Sequence, residues 1–177
     1  MSTVQIPLPA LSWYPAAGQA TAPALLDFGE AEAAKRRYLP RWGFVSDSTT
    51  GINITFLLPA DYIGSPTLTL MWYTKMQGSS SDGVRWDCYV LAATGISTGD
   101  ADDIEVAEVD SVNAVTGVPS SDGGGYLVLT TITLTNEDVA EAGDLIMLAL
   151  ERDHDHADDD HAHTAYLLSA MFNYSDA

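Results

Sequence analysis

From Tyr38 to Tyr174 apolar and polar residues alternate with a period of two, the repeat of a strand with one buried face. GINITFLLP places Ile52, Ile54 and Phe56 on one side and Asn53 and Thr55 on the other. TLTLMWYTKM does the same with Leu68, Leu70 and Trp72, and VRWDCYVLAAT with Val84, Trp86, Cys88 and Val90. IEVAEV, YLVLTTITLT, LIMLALERD and TAYLLSAMFNY read as further strands, separated by turns rich in Gly, Ser, Asp and Pro. About eight short strands with almost no helix between them predict mostly antiparallel pairing, since parallel neighbours need long crossovers. The fold class that follows is all-β, a two-layer β-sandwich or jelly roll.

Ahead of that body the pattern lapses. Pro7, Pro9, Pro15 and Pro23 predict an extended arm, because proline fixes φ and donates no hydrogen bond. The arm also carries Ile6, Leu8, Leu11, Trp13, Tyr14, Leu25 and Leu26, too apolar for a solvated tail, so it should lie along its own domain or a neighbour's. GEAEAAKRR is the one helical stretch, about two turns, with glutamates first and basic residues last. The expected organisation is an arm with a short helix over 1–37 and a sandwich over 38–177.

Charge narrows the partners. The 177 residues hold 25 acidic against 7 basic side chains, a formal charge of −18 that repels phosphate backbones and argues against nucleic acid. No apolar run approaches the roughly 20 residues of a membrane span, and the N-terminus shows neither the basic nor the apolar region of a secretory signal. Lys35, Arg36, Arg37 and Arg41 form a basic island that reads either as a docking point for an acidic neighbour or as a solvated helix end. The single cysteine, Cys88, sits on an apolar face and reads as a buried thiol rather than a nucleophile. Nucleophile-elbow, phosphate-loop, dinucleotide and zinc-protease motifs are all missing. The carboxylate pair Asp102-Asp103 lies in a turn and reads as solvated. An enzyme is not expected.

The order of segments resembles a known family. LLDFGEAE, a strand ending LLPADY, TLTLMWY, VRWDCYVLAA, AEAGDLIMLALERD with its acidic loop, and a last strand ending in NY are similar to bacteriophage virion structural proteins. The resemblance implies a jelly-roll subunit on the outside of a virus particle, a head decoration (cement) protein or part of a fibre or tail appendage, assembled in the host cytoplasm. With the apolar arm, the motif-free sandwich and the surface charge, it leads to the expectation of a symmetric oligomer, a trimer favoured, whose partners are the major capsid protein or another virion protein and further copies of itself.

One stretch invites chemistry. RDHDHADDDHAH, Arg152 to His163, holds all 4 histidines of the chain, His154, His156, His161 and His163, among five aspartates. In an extended chain His154 and His156 share a face with Cα atoms roughly 6.5 Å apart, and His161 and His163 repeat the geometry. A hairpin around ADDD would bring both pairs together as ligands for a divalent ion such as Zn²⁺. A solvated loop and an acid-responsive interface are the competing readings. No cofactor is required by the sequence; a divalent ion is the one it admits.

Three functions therefore compete. The first is a non-enzymatic capsid decoration subunit that assembles through its N-terminal arm. The second is a fibre or appendage module that recognises host surface glycan through exposed aromatics, with Trp72, Tyr73 and Trp86 as candidates, although both tryptophans fall on core-facing positions. The third is a metal-dependent assembly element at the His/Asp loop.

Overall fold

The structure, a computed structural model, describes residues 2–15, 22–23, 25–27, 40–75, 82–93, 110–118, 126–134 and 140–176. The helical segment expected at 29–37, most of the basic island (Lys35, Arg36 and Arg37), the IEVAEV strand and Asp102-Asp103 lie outside those residues.

Among the described residues twelve strands run in chain order: β1 (Thr3–Pro9), β2 (Tyr14–Pro15), β3 (Ala22–Pro23), β4 (Leu25–Asp27), β5 (Arg41–Phe44), β6 (Thr50–Leu57), β7 (Tyr62–Thr74), β8 (Gly83–Ala93), β9 (Asp110–Gly117), β10 (Val128–Thr133), β11 (Leu145–Arg152) and β12 (Ala165–Asp176). They form two six-stranded sheets. Sheet A has the order β10-β7-β12-β5-β4, with β1 also on β12; sheet B has β2-β6-β11-β8-β9, with β3 also on β6. Every described pairing is antiparallel except the two-residue contact of β3 with β6. The protein is an antiparallel β-sandwich of the jelly-roll kind. Eight of the eleven steps between consecutive described strands cross from one layer to the other, and only β4–β5 and β8–β9 are neighbours in both sequence and sheet.

The alternation read from the sequence is the alternation of burial. Leu68, Leu70 and Trp72 of β7 meet Val84, Trp86 and Cys88 of β8 and Ile146, Leu148 and Leu150 of β11 across the interior. Trp72 and Trp86 pack edge-on at 5.6 Å, and Phe44 closes on Trp86 at 4.9 Å. The Trp72 indole N–H donates to Thr130 Oγ1 (2.8 Å), which donates to Thr116 Oγ1 (2.7 Å), so a polar thread joins sheet A to β9 of sheet B. Burial, and next the charge of Asp87, push the Cys88 thiol up to about 12, which leaves it protonated and unreactive.

Residues 2–15 are the longest described part of the expected arm. They lie along their own domain, one of the two places open to an apolar arm: β1 pairs with β12 from Thr3↔Ser175 to Pro9↔Ser169. Pro7 and Pro9 are tolerated because β1 is a marginal strand with its prolines facing outward, while Val4, Ile6 and Leu8 face in. Trp13 is buried and donates to Leu8 O (3.2 Å), and Trp42 donates to Ala10 O (2.7 Å), pinning the short 3₁₀ turn Ala10–Ser12 beneath the sandwich. Burying Leu8 and Trp13 is worth about 1.5–3 kcal/mol each. Residues 3–9, which the assembly reading sends to a neighbouring subunit, are used within their own fold.

Candidate functional site

The histidine stretch is an arch, not a hairpin tip. β11 lies in sheet B and β12 in sheet A, so residues 153–164 bridge the layers and cannot pair with each other across ADDD. Arg152 is the keystone. It occupies the inward position after Ile146, Leu148 and Leu150, fully buried, and all five guanidinium N–H groups are engaged. Nε and Nη2 grip Asp159 at 2.9 and 2.6 Å, while Nη1 and Nη2 donate to Phe44 O (3.3 Å), His163 O (2.7 Å) and His161 O (2.5 Å). Asp159 Oδ2 also accepts the Arg85 N–H (3.0 Å), and Asp160 Oδ1 accepts the Gly83 N–H (2.7 Å). Gly83 has to be glycine here, because a Cβ would stand 2.7 Å from Asp158 O.

The four histidines are dispersed along this arch. His154 Nδ1 lies 3.4 Å from Thr49 Oγ1, and its Nε2 3.0 Å from Asp155 Oδ1. His156 Nε2 sits 3.1 Å from Arg85 Nη1. His161 is buried, with Nε2 3.0 Å from Thr74 Oγ1 and Nδ1 3.5 Å from Asp82 Oδ2. Burial holds its imidazole below the ordinary histidine range against the opposing pull of Asp82. His161 and His163 are the pair brought together, edge to face at 5.4 Å, a ring contact rather than two nitrogens aimed at one point. Among the described residues no three His, Cys, Asp or Glu side chains form a group able to hold a metal ion.

Aromatic residues on the outward sheet faces offer more. On sheet A, Tyr73 and Tyr166 are direct cross-strand partners and stack at 5.4 Å with 26° between planes. Arg41 lies over the Tyr166 ring (4.2 Å) and donates to the Tyr73 hydroxyl, and Lys75 Nζ lies 5.2 Å from the Tyr166 centroid. Each ring thus spends its faces on the other ring or on a cation. Trp72 and Trp86, the other aromatic candidates for glycan contact, are fully buried in the core.

Sheet B presents the opposite case. Tyr14, Asn53, Ala149 and Tyr89 stand in one register row across β2, β6, β11 and β8. Two aromatic rings are therefore separated by three strand spacings, about 14 Å, with small side chains between them. Together with Met147 and Leu91 they line a cleft of about 220 Å³. The Tyr14 hydroxyl is 3.2 Å from Thr55 Oγ1, which lays the ring along β6, and the residue is 47% exposed. Burial raises the Tyr89 hydroxyl above its ordinary value, helped by the carboxylates of Glu151, Asp87 and Asp153. Tyr14 belongs to the segment read as an arm, and Tyr89 has the polar phase of an otherwise core-forming strand. The alternation marked Tyr89 as outward, but only the strand order shows that it faces Tyr14.

No protein-family profile matches the chain, and no curated protein sequence does. Among solved structures, one described as the structural basis for promiscuous specificity of carbohydrate-binding modules of the β-sandwich superfamily is 14% identical with a TM-score of 0.43, covering 97% of this chain and 56% of that one. The Caldicellulosiruptor saccharolyticus module CBM27-1, solved with mannohexaose, is 9% identical with a TM-score of 0.45, covering 99% and 100%. An exo-β-1,3-galactanase from Phanerochaete chrysosporium is 13% identical with a TM-score of 0.43, covering 98% of this chain and 30% of the enzyme. Similarity at this level assigns neither ligand nor activity to this protein.

Proposed function

We propose that the protein is a non-enzymatic glycan-binding module that takes a sugar chain across the outward face of sheet B, between Tyr14 and Tyr89. The observation that carries this reading is the register row itself, two aromatic rings held apart over a floor of Asn53 and Ala149. A sugar ring presents C–H groups that pack on an aromatic face and hydroxyls at its edge that need hydrogen-bonding partners. The cleft supplies both, with apolar walls from Met147 and Leu91 and an amide from Asn53. The row runs across the strands, so a bound chain would lie perpendicular to them. Asp87, a carboxylate beside the cleft, is tied to Arg85 Nε at 3.0 Å, and burial raises it above the ordinary aspartate value against the pull of that guanidinium.

This reading takes the second of the functions weighed from the sequence above the first. The virion resemblance fits a fibre or appendage setting, where many copies would multiply a weak single-site affinity. The test is glycan-array or affinity-gel retention of the whole protein and of Tyr14→Ala, Tyr89→Ala and Tyr73→Ala variants. The two sheet B variants should each lose about tenfold in affinity, the equivalent of ~1.4 kcal/mol of stacking and burial. Tyr73→Ala should retain it. Retention indifferent to Tyr14 and Tyr89 would overturn the assignment.

A further inference from the structure

We infer that the segment over residues 8–15 is a working part of the glycan site, with Trp13 as the positioning residue for Tyr14. Ligand binding and docking of this segment reinforce each other; the inference rests on the glycan reading of the Tyr14–Tyr89 cleft. The two ends of the cleft are held unequally. Tyr89 lies inside β8, an eleven-residue strand paired with β11 on one side and β9 on the other. Tyr14 lies in the two-residue β2, which meets β6 at Tyr14↔Asn53 and Pro15↔Ile52. Pro15 has no N–H to donate, so this ladder is a weak hold by itself.

What fixes Tyr14 is the residue before it. Trp13 belongs to the buried core, and its backbone is extended (φ −89°, ψ 156°). Successive side chains of an extended chain point to opposite sides, so Trp13 goes in and Tyr14 comes out over sheet B. The Trp13 indole N–H donates to Leu8 O (3.2 Å), the Trp42 indole N–H to Ala10 O (2.7 Å) and the Ser12 hydroxyl to Pro9 O (2.6 Å). Three successive carbonyls where the chain passes from sheet A to sheet B are thus taken by side-chain donors, two of them core tryptophans. A sugar chain touching both tyrosines would tie this segment to the interior of sheet B. It loses one of its two aromatic platforms when the segment lifts, so it favours the docked state, and by linkage a firmly docked segment binds it more tightly.

The experiment follows hydrogen exchange of the full chain with and without neutral hexasaccharides of glucose, mannose, galactose and xylose as probes, beside the probe affinities of variants. With a bound probe at about 100 times its dissociation constant, exchange of residues 10–14 through local opening should slow by up to about 100-fold. A probe held at Tyr89 alone would leave that opening as frequent as before. Trp13→Ala should weaken binding as much as Tyr14→Ala does, and the double variant should bind no worse than either, because Trp13 acts through Tyr14. Trp13→Phe keeps the burial and loses the bond to Leu8 O, so it should recover part of the affinity; it also carries the comparison should the alanine variant fold poorly. Affinity that follows Tyr14 but not Trp13, an additive double variant, or exchange at residues 10–14 untouched by a probe that binds would overturn this coupling and leave the cleft assignment intact. Binding of no hexasaccharide, or binding indifferent to both tyrosines, would overturn the glycan reading and this inference with it.

Discussion

The two outward faces of this sandwich each carry a pair of tyrosines, and the pairs have opposite fates. Tyr73 and Tyr166 occupy adjacent strands of sheet A, so their rings reach one another and Arg41 caps the stack. Tyr14 and Tyr89 stand three strands apart on sheet B, with Asn53 and Ala149 between, so neither ring reaches the other. Strand order alone decides whether an aromatic pair is spent on the fold or left available. A count of surface aromatics would have ranked the two faces equal.

The comparison can be broken most severely at the frame both faces share. Arg152→Met should cost about 3–5 kcal/mol, because it leaves the buried Asp159 charge without its cation, with only the Arg85 N–H as donor, and three carbonyls without their Arg152 hydrogen bonds. Urea unfolding would read the loss, and Arg152→Lys should recover only part of it, since an ammonium cannot reproduce the two-pronged grip on Asp159. A destabilisation under 1 kcal/mol would show that the arch is not held this way.

The faces themselves separate next. Tyr166→Ala should cost about 1–2 kcal/mol of stability, from the ring stack and the Arg41 contact, and leave glycan retention in place. Tyr89→Ala should do the reverse, weakening retention far more than it lowers the unfolding midpoint. If both substitutions act alike on both measurements, the distinction between a spent and an available pair fails.

Smaller still is a pH effect in the arch. His161 has its folded-state affinity for protons lowered by burial, so below about 6.5, the ordinary histidine value, the unfolded chain binds the proton first. Stability is therefore full at neutral pH and falls as pH drops from that value through the lower folded one. Urea titrations at pH 7.5 and 5.5 should show this loss, and His161→Gln should flatten it. The smallest expected effect is that of a chelator. The arch is held by the Arg152–Asp159 pair, and among the described residues its histidines form no group of three with other ligand side chains, so EDTA should leave the melting temperature unchanged, whereas a bound metal would lower it on removal.

Much of this architecture was legible in the residues. The inward phase of Ile52, Leu68, Trp72, Trp86 and Cys88 was plain from alternation, because each strand buries one face only. β9 was harder: Val112, Ala114 and Thr116 alternate weakly, behind the stronger apolar pattern of IEVAEV. β1 was hidden by Pro7 and Pro9, which an edge position accommodates and an interior one would not. The histidine stretch misled for a topological reason. Its local spacing suits a hairpin, but spacing carries no information about whether the flanking strands share a sheet. The cleft was invisible for the same cause, since Tyr14, Asn53, Tyr89 and Ala149 are gathered from four separate strands.

The pairing of β1 with β12 also sets how the molecule bears load. Ser2 is bound through its backbone N–H and hydroxyl to the Asp176 carboxylate, both at 2.6 Å, and the next rung is Thr3↔Ser175. Tension applied between residues 2 and 176 would fall on one rung at a time, peeling the ladder from its end like a zipper.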